Sequence, residues 1–123
     1  MVVDQLSDAE VDAIFHALAD ATRRDIVQRV MREEQSISAL TENYTMSWAA
    51  VQKHVSVLER AQLITKQRRG REQVVHGNAE TIRRAARLLD AYEQIWVERF
   101  QRIGDILAEP DPQHENERKK GTR

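Results

Sequence analysis

A mainly helical fold with one small β-hairpin is what this sequence predicts, and three observations predict it. Four successive segments repeat apolar residues at helical spacing behind a Ser or Asp suited to cap them. Two short β-prone runs flank Gly70 and Arg71, and a long helical pattern then covers residues 79–108. With 123 residues and 41% hydrophobic content, the chain can build one core but not two. Residues 1–108 are therefore expected to form one domain. Residues 109–123, charged and without periodicity, are expected to be a disordered tail.

Each element has a local reason. Ser7 followed by Glu10 is a capping box, and Val11, Ile14, Phe15 and Leu18 then form one stripe of a first helix ending near Asp20. Asp20 can cap a second helix running to about Glu33, with Ile26, Val27 and Val30 inward and Arg23, Arg24, Arg29 and Arg32 on a solvated face. Ser38 can cap a short third helix anchored by Leu40 and ending near Asn43 and Tyr44. After the turn at Thr45 and Met46, Ser47 caps a fourth helix from Trp48 to about Ala61. Short helix, tight turn and second helix together make a helix-turn-helix. The runs 63–69 and 72–76, joined through Gly70, make a basic hairpin behind it, which is a wing. In the last helix Ile82, Leu89, Trp96 and Ile103 recur every seven residues, with Ala85, Tyr92, Phe100 and Leu107 beside them. At 1.5 Å per residue that helix is roughly 45 Å long, more than so small a domain covers, so a partner chain is expected on it.

Composition narrows the function. The net charge is −1, yet residues 1–20 hold five Asp or Glu and no Lys or Arg, while residues 47–76 hold six Lys or Arg against two Glu. A local field of that kind suits phosphate binding, whatever the overall balance. There is no cysteine, which excludes disulfides and thiolate metal sites. No apolar run approaches the roughly 20 residues that span a bilayer, and the acidic start lacks a signal-peptide pattern. A cytoplasmic protein with no membrane partner is expected. Neither a glycine-rich phosphate loop nor a nucleophile motif is present, so no catalytic residue, and no enzyme, is expected.

A step of about 100° per residue along the fourth helix puts Val51, His54, Val55, Leu58 and Ala61 on one face. Ala49, Gln52, Lys53, Ser56 and Arg60 fall on the other. The first face packs, and His54 on it is expected to be structural. The second is free to enter a major groove. There Gln52 can pair bidentately with adenine, Lys53 can donate to guanine or phosphate, Ala49 can meet a thymine methyl, and Ser56 lies one turn on. A plain solvated face is the other reading of Gln52 and Lys53. Ser47 and the first-turn amides suit a phosphate oxygen. Trp48 either bears on a sugar or thymine methyl or packs on the preceding turn. Arg68, Arg69 and Arg71 either enter a minor groove or clamp phosphates, or merely charge an edge strand against aggregation.

These residues resemble the arsenic-repressor-type (ArsR) family of winged helix regulators. The similarity lies in FHALADATRRDIVQRV at residues 15–30, SALTENYTMSWAAVQKHVSVLERAQLITKQRRGREQVVH at residues 38–76, and the aromatic-rich last helix, and it covers roughly residues 9–107. It implies a homodimer joined through the first and last helices that binds a double-stranded operator and usually represses transcription, in some members that of its own gene. The dimer residues would be Val11, Ile14, Phe15, Leu18, Ile82, Leu89, Tyr92, Trp96 and Ile103. The family's recognition-helix contacts fall on Ser47, Trp48, Ala49, Gln52 and Lys53, and its wing contacts on Arg68, Arg69 and Arg71. Its metal sensors use cysteines around the third helix, or carboxylates with histidine on the last. Here residues 36–44 have no cysteine, and residues 79–108 carry Asp90, Glu93, Glu98 and Asp105 without histidine. His16, His54, His76 and His114 lack ligand spacing. No metal and no cofactor are expected, and a small-molecule effector is not identified. Two readings compete with a repressor: a winged helix used for protein interaction, and a sequence-indifferent nucleoid protein.

Overall fold

A computed structural model describes residues 6–108; the expected tail at 109–123, with His114, lies outside the described residues. The elements are α1 (Asp8–Leu18), α2 (Ala21–Arg32), β1 (Gln35–Ser36), α3 (Ile37–Thr41), α4 (Trp48–Arg60), β2 (Ile64–Arg69), β3 (Glu72–Gly77) and α5 (Ala79–Ala108). The chain divides into two compact units, one ending at Arg87 and the other beginning at Leu88, with α5 contributing to both.

The first two helices are joined by their ends. In the capping box of α1, Glu10 N donates to Ser7 Oγ at 3.1 Å and Ser7 N donates to Glu10 Oε1 at 2.8 Å. Asp20 caps α2 by accepting from Arg23 N at 3.0 Å, and that hydrogen bond lowers the Asp20 pKa. Two arginines of α2 do more than face solvent: Arg23 is half-buried, Arg24 is exposed as expected, and both reach back to α1. Arg23 donates to the carbonyls of Ala17 (2.7 Å) and His16 (3.0 Å), and Arg24 donates to that of Leu18 (2.7 Å). They cap the open carbonyls of α1, where cations also suit the helix dipole.

One member of the first-helix stripe has to be reassigned. Ile14 is 2% exposed and packs in its own chain's core, so it has no surface to give a partner. Phe15 is exposed, while Val11 and Leu18 are half-buried. Ile82, also named for the dimer, packs against the same core from the start of α5.

The third helix is capped by Ser36, not Ser38: Ser36 Oγ accepts from Ala39 N at 3.0 Å. That start places Ile37 and Leu40 one turn apart, and both are buried. Ser36 also belongs to a strand the sequence did not disclose. β1 pairs antiparallel with β3 through Gln35↔Val75 and Ser36↔Val74, giving a three-stranded sheet in the order β1-β3-β2. Gly77, at the end of β3, lies under α2. A Cβ there would sit 2.1 Å from Met31 Sδ and 3.1 Å from Met31 Cα, so any larger residue requires the Met31 side chain to move and the α2 backbone to give by a few tenths of an ångström.

Ser47 caps α4 as expected, accepting from Ala50 N at 3.1 Å, and Val51, Val55 and Leu58 form its buried face. The helix closes in a Schellman motif, with Leu63 N donating to Leu58 O at 3.0 Å and Gln62 N to Glu59 O at 2.9 Å. The left-handed position is taken by Gln62, at φ 62°, instead of glycine. The hairpin pairs Arg69 with Glu72 across Gly70 and Arg71, and Gly70 takes φ 61°, the first position of a two-residue turn where glycine is favoured.

Candidate nucleic-acid interface

The placement of α4 rests on a polar strut. Tyr44, at the end of the α3 turn, donates its hydroxyl to Asp25 Oδ2 at 2.7 Å, and Arg29 Nε donates to the same oxygen at 2.8 Å. The Arg29 guanidinium lies 5.9 Å from the Tyr44 ring centroid. These bonds lower the Asp25 pKa, the Tyr44 hydroxyl first and Arg29 next. Partial burial, then the carboxylate, push the Tyr44 hydroxyl up to about 12. The turn that precedes α4 is thereby tied to α2. On the inner side of α4, His54 Nδ1 lies 3.3 Å from Arg23 Nη1, a structural contact as expected.

On the outer side, Ser47, Trp48, Ala49 and Lys53 are exposed, Trp48 by 53%. Trp48 therefore does not pack away under the preceding turn. Gln52 and Ser56 are half-buried, which departs from the open face the wheel suggested. The Gln52 Oε1 atom is shut off from solvent and accepts no hydrogen bond from the protein. Beside it lies a cleft of about 220 Å³ between α4 and the wing, lined by Ile37, Ser38, Trp48, Gln52, Arg68, Arg71, Glu72 and Gln73.

The wing arginines divide. Arg68 and Arg71 line that cleft, and Arg68 Nε donates to Gly70 O at 3.2 Å within the wing tip. Arg69 instead pairs with Glu34, its Nη1 on Oε2 and its Nη2 3.3 Å from Oε1. His76 Nδ1 stands 3.6 Å from the same carboxylate. Lys66 pairs with Glu59 of α4 at 3.4 Å, fastening β2 to the helix. Of the six cations in the basic stretch, Lys53, Arg60, Arg68 and Arg71 make no ion pair among the described residues. The sequence showed the cations but not which carboxylates face them, since Glu34 and Arg69 are 35 residues apart.

Past Leu88, every apolar side chain of α5 from Leu89 on is exposed in the single chain, including Leu89 (51%), Tyr92 (57%), Trp96 (59%), Phe100 (63%) and Ile103 (47%). Trp96 and Phe100 stack edge to face at 5.9 Å. Among the described residues no three His, Asp or Glu converge as a metal site would require, and no helix is long and apolar enough to cross a membrane.

Known proteins share this arrangement. No family profile matches the chain. It is 40% identical over 79 residues to the uncharacterized HTH-type transcriptional regulator YuzN of Bacillus subtilis, a match covering 58% of this chain and 86% of YuzN. Among solved structures it is similar to an ArsR-like transcriptional regulator from Rhodococcus sp. RHA1, at 30% identity and a TM-score of 0.71, covering 81% of this chain and 93% of the other. A homodimeric winged helix-turn-helix DNA-binding domain from Mycobacterium bovis has the same fold, with a TM-score of 0.58 at 19% identity, covering 76% of this chain and 92% of that one. The helix-turn-helix, the hairpin behind it and these relatives together place the chain in the ArsR family of winged helix-turn-helix, DNA-binding transcriptional regulators.

Proposed function

We propose that the chain is a sequence-specific repressor that binds an inverted-repeat operator as a homodimer, with residues 1–108 as the DNA-binding and dimerisation domain. The observation that carries the reading is the exposed set Ser47, Trp48, Ala49 and Lys53 at the N-terminal end of α4, beside a wing whose Arg68 and Arg71 have no acidic partner among the described residues. A capped helix start with open amides and adjacent cations suits the backbone of a duplex whose major groove receives the helix. Lys53 and Ala49 are the side chains offered to base edges, with Trp48 beside them. Ser56 lies deeper.

The dimer is supported by the exposed stripe of α5. Five large apolar side chains on one helix face are more than a soluble monomer ordinarily leaves in water. The Mycobacterium relative is homodimeric. Leu89, Tyr92, Trp96 and Ile103, with Phe15, Val11 and Leu18 of α1, are the contacts we assign to the partner. A two-fold axis then requires half-sites whose centres lie about 10 bp, or a multiple of that, apart. We assign the protein no catalytic activity, metal or cofactor, a location with the chromosomal DNA in the cytoplasm, and self-regulation as one use of the operator.

Selection from random-sequence duplexes, followed by fluorescence anisotropy and sedimentation, tests this. The selected site is expected to be an inverted repeat preferred over unrelated duplex by on the order of 10³ or more. Inserting about half a turn, roughly 5 bp, between its halves abolishes tight binding. Leu89→Asp with Trp96→Asp yields monomers of weak affinity. Equal affinity for every duplex would establish a nucleoid-type binder instead, and no affinity for any would leave a protein-interaction module.

A further inference from the structure

We propose that the cavity between α1, the end of α4 and the start of α5 binds a small apolar monocarboxylate, and that the bound ligand loosens the hold of α4 on DNA. The site itself does not depend on the DNA-binding reading; its effect on DNA rests on that reading.

The cavity lies wholly within the unit that ends at Arg87. Leu6, Ala9, Ala13, Ile14 and Ala61 give it an apolar wall. Its volume is about 170 Å³, and an apolar cavity of about 150 Å³ takes up benzene, so there is room for one ring or a short branched chain. Along α1, at about 100° per residue, Ala9 and Ala13 fall roughly opposite Val11, Phe15 and Leu18, the side chains assigned to the partner chain. Dimerisation through that stripe therefore does not use the cavity side of α1.

Thr81 points to a ligand. It is 4% exposed and lines the cavity, and its hydroxyl makes no hydrogen bond among the described residues. Unlike Gln52 Oε1 and His76 Nε2, that hydroxyl is not sealed from solvent, so its access is to the cavity. A buried hydroxyl without a partner is costly until a polar group meets it.

Charge at the site selects an anion. Glu10 is already engaged, accepting from Ser7 N at 2.8 Å, and this bond, followed by the Ser7 hydroxyl and the charge of Arg84, lowers its pKa. Arg60 also lines the cavity and makes no ion pair among the described residues. It borders a second cavity as well, about 280 Å³ between α1 and α4, with Ala13, His16 and Val57. A carboxylate matches a guanidinium through two parallel hydrogen bonds, and its single charge offsets the one cation left over among Glu10, Arg60 and Arg84. On an apolar body it supplies acceptors for Arg60 and Thr81 while the body fills the wall. The site bears on α4 because Arg60 is the last residue of that helix and Ala61 its cap. A carboxylate on Arg60 cancels a cation that the basic stretch leaves unpaired, so ligand and duplex weaken each other by the same factor.

Benzoate is the probe, titrated calorimetrically into the full chain, with benzamide as its neutral counterpart. Benzoate should bind saturably at millimolar concentration or below, and benzamide at least tenfold more weakly. Arg60→Gln should weaken benzoate about tenfold and remove the preference over benzamide. Thr81→Val should weaken benzoate about fivefold without lowering Tm, because a hydroxyl that bonds to nothing in the fold does not stabilise it. Ala13→Leu, which fills the cavity, should abolish uptake of both compounds, and thermal unfolding shows whether each variant keeps the fold. Saturating benzoate should weaken a selected duplex at least fivefold for wild type and not for Ala13→Leu. Absence of saturable benzoate binding, equal binding of benzamide, or indifference to both Arg60→Gln and Thr81→Val overturns the site, whether or not the chain binds DNA. Wild-type chain that binds no duplex overturns the DNA-binding reading, and benzoate that binds while duplex affinity stays unchanged overturns the coupling alone.

Discussion

Tyr44→Phe isolates one hydrogen bond, because the ring that Arg29 faces at 5.9 Å is retained and only the hydroxyl on Asp25 Oδ2 is lost. Hydrogen bonds to charged groups contribute about 1.5–3 kcal/mol, and the Asp25 side chain is 40% exposed and keeps its bond to Arg29, so the bottom of that range, discounted for solvent, applies. The expected loss is about 1 kcal/mol at pH 7, or roughly 4–8 °C in Tm for a domain of this size. The pH dependence follows from both partners. Asp25 has a folded pKa below its ordinary 3.8, so its contribution is present above that value and disappears as pH falls through the folded pKa. Tyr44 is raised from 10.0 to about 12, so its contribution is complete below pH 10 and is lost as pH rises through about 12. The difference between wild type and Tyr44→Phe should form a plateau from about pH 5 to 9 and shrink on both sides. Urea unfolding followed by circular dichroism, at one fixed chain concentration, measures it. No difference at pH 7, or one that persists undiminished at pH 2, would refute the strut.

Gln62→Gly should stabilise the protein, since a side chain in the left-handed region costs about 1 kcal/mol that glycine avoids, less the extra freedom glycine has when unfolded. A gain of about 0.5 kcal/mol in urea unfolding is expected, and a loss would mean that the Gln62 side chain makes a compensating contact. Glu34→Gln should release Arg69 from its pairing and raise affinity for any duplex while steepening the salt dependence by about one unit of slope. Unchanged affinity and slope would show that Arg69 does not reach the backbone.

What could be read in the sequence is what local chemistry decides. The caps at Ser7, Asp20 and Ser47, the turn at Gly70 and the start of α5 are all set within a few residues, and the structure agrees with each. Contacts set across the chain were not legible. β1 has two residues, too few for any period, and exists because β3 lies beside it. Ser36 and Ser38 are equally good caps in isolation, and burial of Ile37 chooses between them. An amphipathic stripe also cannot say whose core it meets, so Ile14 and Phe15 look alike in sequence although one is buried and the other exposed. The stop of α4 near Ala61 was legible, but its left-handed residue was not, because Gln62 stands where glycine is usually found. The wheel gave Gln52 the right helix face but could not see the wing closing over it.

Charge counting fails in the same instructive way, and the reason bears on function. An arginine's role is fixed by what it faces: Arg23 and Arg24 meet helix-end carbonyls, Arg29 meets Asp25, and Arg69 meets Glu34. Asp25 and Glu34 offset the charges of Arg29 and Arg69, while Arg23 and Arg24 keep theirs but are held at the end of α1. What remains in the basic stretch is Lys53 on the open face of α4, Arg60 at its end, and Arg68 and Arg71 around the cleft. A few uncompensated cations beside one helix start attract a phosphate more selectively than the same number spread evenly over the surface. The exposed Asp8 and Asp12 of α1 act in the opposite sense, repelling DNA from any approach that presents that helix. A chain of net charge −1 can therefore bind a polyanion because its charges are separated, which favours one docking orientation and penalises the rest.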